Sequence, residues 1–321
     1  MNAILVTGAL GQIGSELVTA LRERHGAAQV VASDIRILPS AAAHAGEAGP
    51  FELLDCTRPE QLRDVVRRHG VTTIYHLAAM LSAVAEQKPQ AAWALNLGGL
   101  YNVLEIARQN RCAVFFPSSI GAFGPTPPRE HTPQDTVQRP TTMYGITKVS
   151  GEMLGDYYAR RFGLDVRGLR LPGLISHVAL PGGGTTDYAV EIFYQAIRYR
   201  HYTCSLRPDT ALDMMYMPDA IRAILELMAA DPTRLKHRNA FNVTAMNFAP
   251  EQLAAAIRCH IAGFRIDYEI DAERQAIADS WPRSIDDSAA RAEWGWAPRY
   301  DLAAMTEDML DKLGEKLKPA R

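Results

Sequence analysis

No stretch of the 321-residue chain holds the ~20 consecutive apolar residues that cross a bilayer, so no transmembrane helix is expected. Charge of one sign is also missing. With 34 Lys and Arg against 36 Asp and Glu, the formal net charge is −2, which offers no electrostatic footprint for nucleic acid or an anionic membrane. Cysteine is scarce: Cys56, Cys112, Cys204 and Cys259 lie far apart and form no C-x-x-C pair. They read as reduced packing thiols rather than disulfides or metal ligands. The nine histidines contain no H-E-x-x-H or other paired spacing, so no metal site is expected. Strand-like Ala3-Ile4-Leu5-Val6 follows Met1 almost at once with no charged n-region. A signal peptide is therefore not expected, and the reading is a cytoplasmic protein, as in a bacterial cytosol.

What is present is a repeating alternation. Apolar runs at residues 3–7, 29–33, 73–76, 113–117 and 165–171 are separated by amphipathic stretches at 13–25, 58–69, 93–110 and 144–162. Strand–helix–strand alternation predicts an α/β fold with a doubly wound parallel sheet and right-handed crossovers. The continuous apolar character of the runs fits strands buried on both faces. After about residue 175 the pattern changes: Pro181-Gly182-Gly183-Gly184 breaks it, as a regular element cannot pass through such a run. Shorter helical stretches follow at 188–200, 218–230, 250–261 and 302–317. We expect residues 1–175 to form the domain that holds this sheet, with the glycine turn described next as its dinucleotide-binding element. Residues 176–321 are expected to form mainly a small, mostly helical lobe over the carboxyl ends of the strands, with some chain returning to the first domain.

Gly8, Gly11 and Gly14 make a G-x-x-G-x-x-G turn between a strand and a helix. Glycine there permits a tight turn and brings backbone N–H groups to a pyrophosphate, which the helix N-terminus favours. Gln12 and Ile13 stand inside the same turn. A second strand ends at Ser33-Asp34, twenty residues after Gly14, where a carboxylate accepts hydrogen bonds from adenosine ribose hydroxyls and repels a 2′-phosphate. That favours NAD over NADP, with the adjacent Ile35 and Arg36 on the same edge, although an arginine there is also able to hold a 2′-phosphate. Asp55 suits either an adenine contact or a plain turn. Leu77, Ala78 and Ala79 end another strand with small residues, and Leu171 ends a later one; both lie where the chain passes near a cofactor.

Tyr144 and Lys148 are four residues apart, on one helical face. A tyrosine titrates near ~10, but the lysine and a nicotinamide cation favour its phenolate. Tyr144 is then able to take a proton from an alcohol as hydride leaves the carbon, and Lys148 to bond the nicotinamide ribose. Ser118 and Ser119 follow a strand at the sheet edge; one of them, by preference Ser119, steadies the substrate oxygen.

These residues resemble the extended short-chain dehydrogenase/reductase superfamily over nearly the whole chain: the glycine turn, Asp34, an asparagine before the serine (Asn96), and the set Ser119, Tyr144 and Lys148. The resemblance implies a cofactor role for Asn96. The run Gly182-Gly183-Gly184-Thr185-Thr186-Asp187-Tyr188-Ala189, with Pro181 before it, resembles the substrate loop of short-chain type L-threonine 3-dehydrogenases. Met80-Leu81-Ser82-Ala83 and Asp279-Ser280-Trp281-Pro282-Arg283-Ser284 are similar to theirs as well. This implies oxidation of the β-hydroxyl of L-threonine by NAD to 2-amino-3-ketobutyrate, which goes on to glycine and acetyl-CoA or decarboxylates to aminoacetone. An amino-acid substrate needs donors for its carboxylate and an acceptor for its ammonium. Backbone N–H groups of the glycine loop through Gly184, with Thr185 and Thr186, are the expected donors. Asp187 is the expected ammonium partner, Ser82 bonds the carboxylate or the amine, and Trp281 either covers the small side chain or serves the core. The resemblance also implies a homodimer through the stretches 93–110 and 144–162.

Two other functions compete. A nucleotide-sugar dehydratase carries Thr-Asp-Glu beside the serine, where this chain has Ser118-Ser119-Ile120-Gly121; an epimerase places an asparagine where Arg170-Leu171-Pro172-Gly173-Leu174 has none. A non-catalytic NAD(H)-binding regulator has no need of the intact Ser119–Tyr144–Lys148 set.

Overall fold

The computed structural model describes residues 3–37, 49–180 and 182–318; Pro181 of the glycine loop lies outside them. The first half alternates as its periodicity requires: β1 (Ala3–Thr7), α1 (Gln12–His25), β2 (Val30–Asp34), β3 (Phe51–Leu53), α2 (Pro59–His69), β4 (Val71–His76), α3 (Ser82–Gln87), α4 (Pro89–Ala92), α5 (Leu100–Asn110), β5 (Ala113–Ser119), α6 (Met143–Phe162) and β6 (Val166–Leu171). The second half holds β7 (Gly173–Ile175), α7 (Tyr188–Tyr199), β8 (His201–Cys204), β9 (Leu212–Tyr216), α8 (Met217–Ala229), β10 (Phe241–Asn242), β11 (Met246–Phe248), α9 (Pro250–Arg258), β12 (Arg265–Tyr268), α10 (Ala272–Asp279), α11 (Ser288–Trp294) and α12 (Leu302–Lys316).

Seven parallel strands run in the order β10-β6-β5-β4-β1-β2-β3. The chain leaves β1 in both directions, so the order reverses between β1 and β4. A crevice opens there at the carboxyl ends, which is where such sheets bind ligands. Leu17, Val18 and Leu21 of α1 pack on one face with Ile221, Ile224 and Leu227 of α8. Leu62 and Val65 of α2, with Val103 and Leu104 of α5, cover the other face.

The structure departs from the sequence reading in two places. Residues 93–110 do not form one α-helix, because Trp93–Gly99 is a π-helical segment leading into α5. The second half also carries more strand than expected. Its apolar cluster, built on Tyr188, Phe193, Tyr216 and Phe248, includes a three-stranded sheet β11-β9-β7 and a two-stranded sheet β12-β8. These strands are three to five residues long, too short for alternation to declare itself.

Candidate active site

The glycine turn is cut to the backbone. Gly8 has φ +70°, and a Cβ on it would lie 2.7 Å from the Ala78 amide nitrogen; a Cβ on Gly14 would lie 2.8 Å from the Ala9 Cα. Side chains are thus excluded from a surface that a ligand approaches closely. Helix α1 starts after Gly11 with no side-chain cap and no acidic residue in its first turn, which leaves its terminal N–H groups for an anion. These features fit a dinucleotide pyrophosphate. The buried carboxylate of Asp34 ties the turn to the end of β2: Oδ2 accepts from the Leu10 amide at 3.1 Å, and Oδ1 accepts from the Arg36 amide and Nε at 3.1 and 3.2 Å. The Arg36 side chain itself remains 65% exposed.

One cleft of about 610 Å³ runs from this turn across the sheet, within the range of small-ligand sites. Gly8, Gly11, Gln12, Ile13 and Gly14 line one end with Asp34, Ile35, Arg36 and Asp55. Asp55 also caps its own turn, accepting from the Thr57 amide and hydroxyl at 2.9 and 2.7 Å. Leu77, Ala78, Ala79 and Leu171 form the floor. Asn96 does not reach the cleft. Its amide clasps the Met80 backbone, accepting from N at 2.7 Å and donating to O at 3.0 Å, and donates to Thr147 Oγ1. Its position in the π-helical segment spends every polar atom on that wall, so the expected cofactor contact gives way to a supporting one.

At the far end Tyr144, Lys148, Ser118 and Ser119 come together. Thr142 caps α6 by accepting from the Gly145 amide, which fixes where the Tyr144–Lys148 face begins. Lys148 is buried and donates to the Pro117 carbonyl at 2.7 Å; its ammonium lies 5.4 Å from the Tyr144 ring centroid. Burial lowers the Lys148 ammonium to about 8, with the Glu152 carboxylate acting the other way. Burial likewise pushes the Tyr144 phenol up to about 12, opposed by its hydrogen bond with Ser119. In the protein alone, desolvation therefore outweighs the stabilisation that the sequence reading assigned to Lys148. The two serines differ. Ser118 is buried and donates to Glu152 Oε1, whereas Ser119 is half-buried and accepts from the Gly121 amide at 3.1 Å.

The glycine loop closes this end. Ser82, Gly184, Thr185, Thr186, Asp187 and Trp281 all line it. Asp187 Oδ2 accepts from the Gly183 and Gly184 amides at 2.8 and 2.7 Å. Those N–H groups are engaged within the loop, a correction to their expected role as carboxylate donors. Burial raises the Asp187 carboxyl to about 6. Thr185 is buried and meets the Ser82 hydroxyl at 3.3 Å, joining the loop to α3. Trp281 is buried in the apolar cluster of the second half, yet its Nε1–H has no acceptor among the described residues and abuts Gly121 beside the Tyr144 ring. It serves core and cleft wall at once. The sequence reading missed Glu152 and Arg170. A buried ion pair spaced 18 residues apart leaves no local pattern; the only signal was the glutamate four residues beyond Lys148.

A sequence profile of the NAD dependent epimerase/dehydratase family matches residues 4–244. The chain belongs to that family. It is an enzyme superfamily whose members use a nicotinamide cofactor, in keeping with the turn and Asp34. An uncharacterized epimerase/dehydratase of Staphylococcus haemolyticus is 54% identical over 98% of this chain and 99% of its own length. Among solved structures, L-threonine dehydrogenase from Clostridium difficile is 53% identical with a TM-score of 0.95, covering 98% of each chain. A monomeric L-threonine 3-dehydrogenase from a metagenome, in apo form, is 45% identical with a TM-score of 0.93, covering 98% of this chain and 99% of that one.

Proposed function

We propose that the protein oxidises the β-hydroxyl of L-threonine to a ketone, giving 2-amino-3-ketobutyrate, with NAD as cofactor. The observation that carries this reading is the juxtaposition of two groups in one cleft: the Ser119–Tyr144–Lys148 cluster and the clasped loop of Gly184, Thr185, Thr186 and Asp187. The likeness to solved L-threonine dehydrogenases over the full chain supports it. NAD rather than NADP is favoured because Asp34 is a buried carboxylate and Arg36 is already paired with it at 3.2 Å, so a 2′-phosphate meets negative charge.

When bound, the nicotinamide supplies the hydride acceptor. Tyr144 removes the hydroxyl proton, and Ser119 donates to the substrate oxygen, because the Ser118 proton is already given to Glu152. Lys148 holds positive charge beside the phenol; among the described residues one of its three donors is taken, by the Pro117 carbonyl. At the other end of the substrate, the hydroxyls of Ser82, Thr185 and Thr186 face the carboxylate. Asp187 Oδ1, which takes neither loop amide, faces the ammonium, and Trp281 walls off the methyl group. Initial-rate NADH formation with L-threonine, run beside D-threonine, L-serine and a UDP-hexose, tests the reading. Turnover of L-threonine in preference to the others is expected; turnover of the UDP-hexose alone overturns it.

We also propose a homodimer. Trp93, Tyr101, Met153, Tyr157 and Phe162 are between 41% and 64% exposed and lie on the two neighbouring helical segments 93–110 and α6. Large apolar side chains exposed together on neighbouring helices favour an interface. One solved relative is described as monomeric, so the fold alone does not require a dimer. Light scattering showing a 35.4 kDa particle at micromolar concentration overturns the dimer.

A further inference from the structure

The buried charge nearest the catalytic lysine belongs to none of the groups assigned above. Glu152 lies on α6 one turn beyond Lys148 and is buried. It is held from three sides. Arg170 on β6 donates to it through Nε at 3.1 and 3.2 Å and through Nη2 at 2.8 Å. Gln138 Nε2 donates at 2.9 Å, and Ser118 on β5 donates its hydroxyl. Arg170 is itself fixed, donating to the Gln134 carbonyl at 2.7 Å and to Asn242 Oδ1 at 3.1 Å. Ser118 and Arg170 are paired in register across β5 and β6, as Arg170 and Asn242 are across β6 and β10. The carboxylate thus sits where the catalytic helix meets three strand ends. A fold that needed only stability at this point would gain as much from apolar side chains, since a buried ion pair is weak as a stabiliser.

We propose that Glu152 is a positioning residue for the reaction. By taking the Ser118 proton it leaves Ser119 as the hydroxyl presented to substrate, and by standing one turn beyond Lys148 it gives that buried ammonium a countercharge. Lys148 has no carboxylate within ion-pair distance among the described residues. The titratable groups facing it are Tyr144 and Glu152 on its own helix and His76 on β4, whose ring is itself held well below its usual range by burial and by the Lys148 charge. The groups facing Glu152 are Arg170 and, on α6, Asp156, whose carboxyl its charge helps to raise. Removing the Glu152 charge therefore lets Lys148 lose its proton at a lower pH, and with that proton goes the positive charge that favours the Tyr144 phenolate. The inference rests on the proposed roles of Ser119, Tyr144 and Lys148 but not on the identity of the substrate.

The test compares wild type, Glu152→Gln, Glu152→Asp, Ser118→Ala and Ser119→Ala as NAD-saturated proteins, with Tyr144→Phe as the spectral blank. Tyrosinate absorbance against pH reads Tyr144 without any substrate, and NADH formation from L-threonine reads turnover. In Glu152→Gln the Tyr144 midpoint is expected to move upward by about one pH unit. kcat falls on the order of tenfold, with KM for NAD unchanged, and Glu152→Asp restores most of both. Ser118→Ala is expected to lose no more than about twofold in kcat, because its hydroxyl faces Glu152. If Glu152→Gln fails to fold, the comparison of Ser118→Ala with Ser119→Ala still decides the matter. An unmoved Tyr144 midpoint in folded Glu152→Gln, or a loss in Ser118→Ala as deep as in Ser119→Ala, overturns the proposal. A wild type silent on L-threonine overturns the substrate reading alone, because the tyrosinate titration still reports on Glu152.

Discussion

Lys148 is predicted to weaken the protein it serves, and replacing it should stabilise the fold while abolishing turnover. Its ammonium is buried, and burial takes its pKa from the ordinary 10.5 to about 8. Each pKa unit corresponds to ~1.36 kcal/mol, so the charged form costs the folded state about 3 kcal/mol at pH 7. Lys148→Met removes that cost and keeps the stem packed between Phe116 and Tyr144. It also orphans the Pro117 carbonyl, a loss of about 1–1.5 kcal/mol. The net expectation is a variant more stable by about 1–2 kcal/mol at pH 7 and slower by more than ~10²-fold. The sign with pH follows from proton binding. Between pH 8 and 10.5 the unfolded chain keeps the lysine proton and the folded chain has lost it, so stability of the wild type rises with pH through this window. In the variant this contribution is missing, while the other tyrosines and cysteines titrate alike in both and cancel. Urea unfolding of both proteins at pH 7, 9 and 10.5 should show the variant's advantage vanish and then reverse by about 3 kcal/mol in all. A variant less stable than wild type at pH 7, or a difference that stays flat with pH, refutes the burial argument.

Three further outcomes follow from the geometry. Gly14→Ala places a methyl group 2.8 Å from the Ala9 Cα; it should abolish NAD binding in a fluorescence titration and lower the melting temperature. Asp187, with its carboxyl raised to about 6, should hold an ammonium only above that pH. KM for L-threonine should then climb as pH falls from 7 to 5, while Asp187→Asn shows a high KM that is flat over the same range. Tyr157→Glu, at one of these exposed apolar side chains, should halve the mass seen by light scattering and leave the circular dichroism spectrum unchanged.

The parts of this molecule legible in its sequence are those governed by local rules. The glycine turn is one, because three glycines at fixed spacing between a strand and a helix are demanded by contacts within some ten residues, plus one approach to Ala78. The Tyr144–Lys148 face is another, because helical periodicity alone sets it. What escaped reading is non-local. Asp187 looked like a free carboxylate for a ligand, yet two of its bonds go back to Gly183 and Gly184, a choice decided by how the loop closes on itself. Asn96 looked like a cofactor ligand and instead pins Met80 from inside a π-helical turn. The choice between Ser118 and Ser119 was open in sequence because adjacent strand residues point to opposite faces, and either face was a candidate for the cleft. It took a partner 34 residues away, Glu152, to separate them. That partner is buried only because Arg170, on a strand that pairs with β5 in register, meets its charge. Local pattern thus announces that a proton is to be moved, and long-range charge pairing selects the hydroxyl that helps to move it.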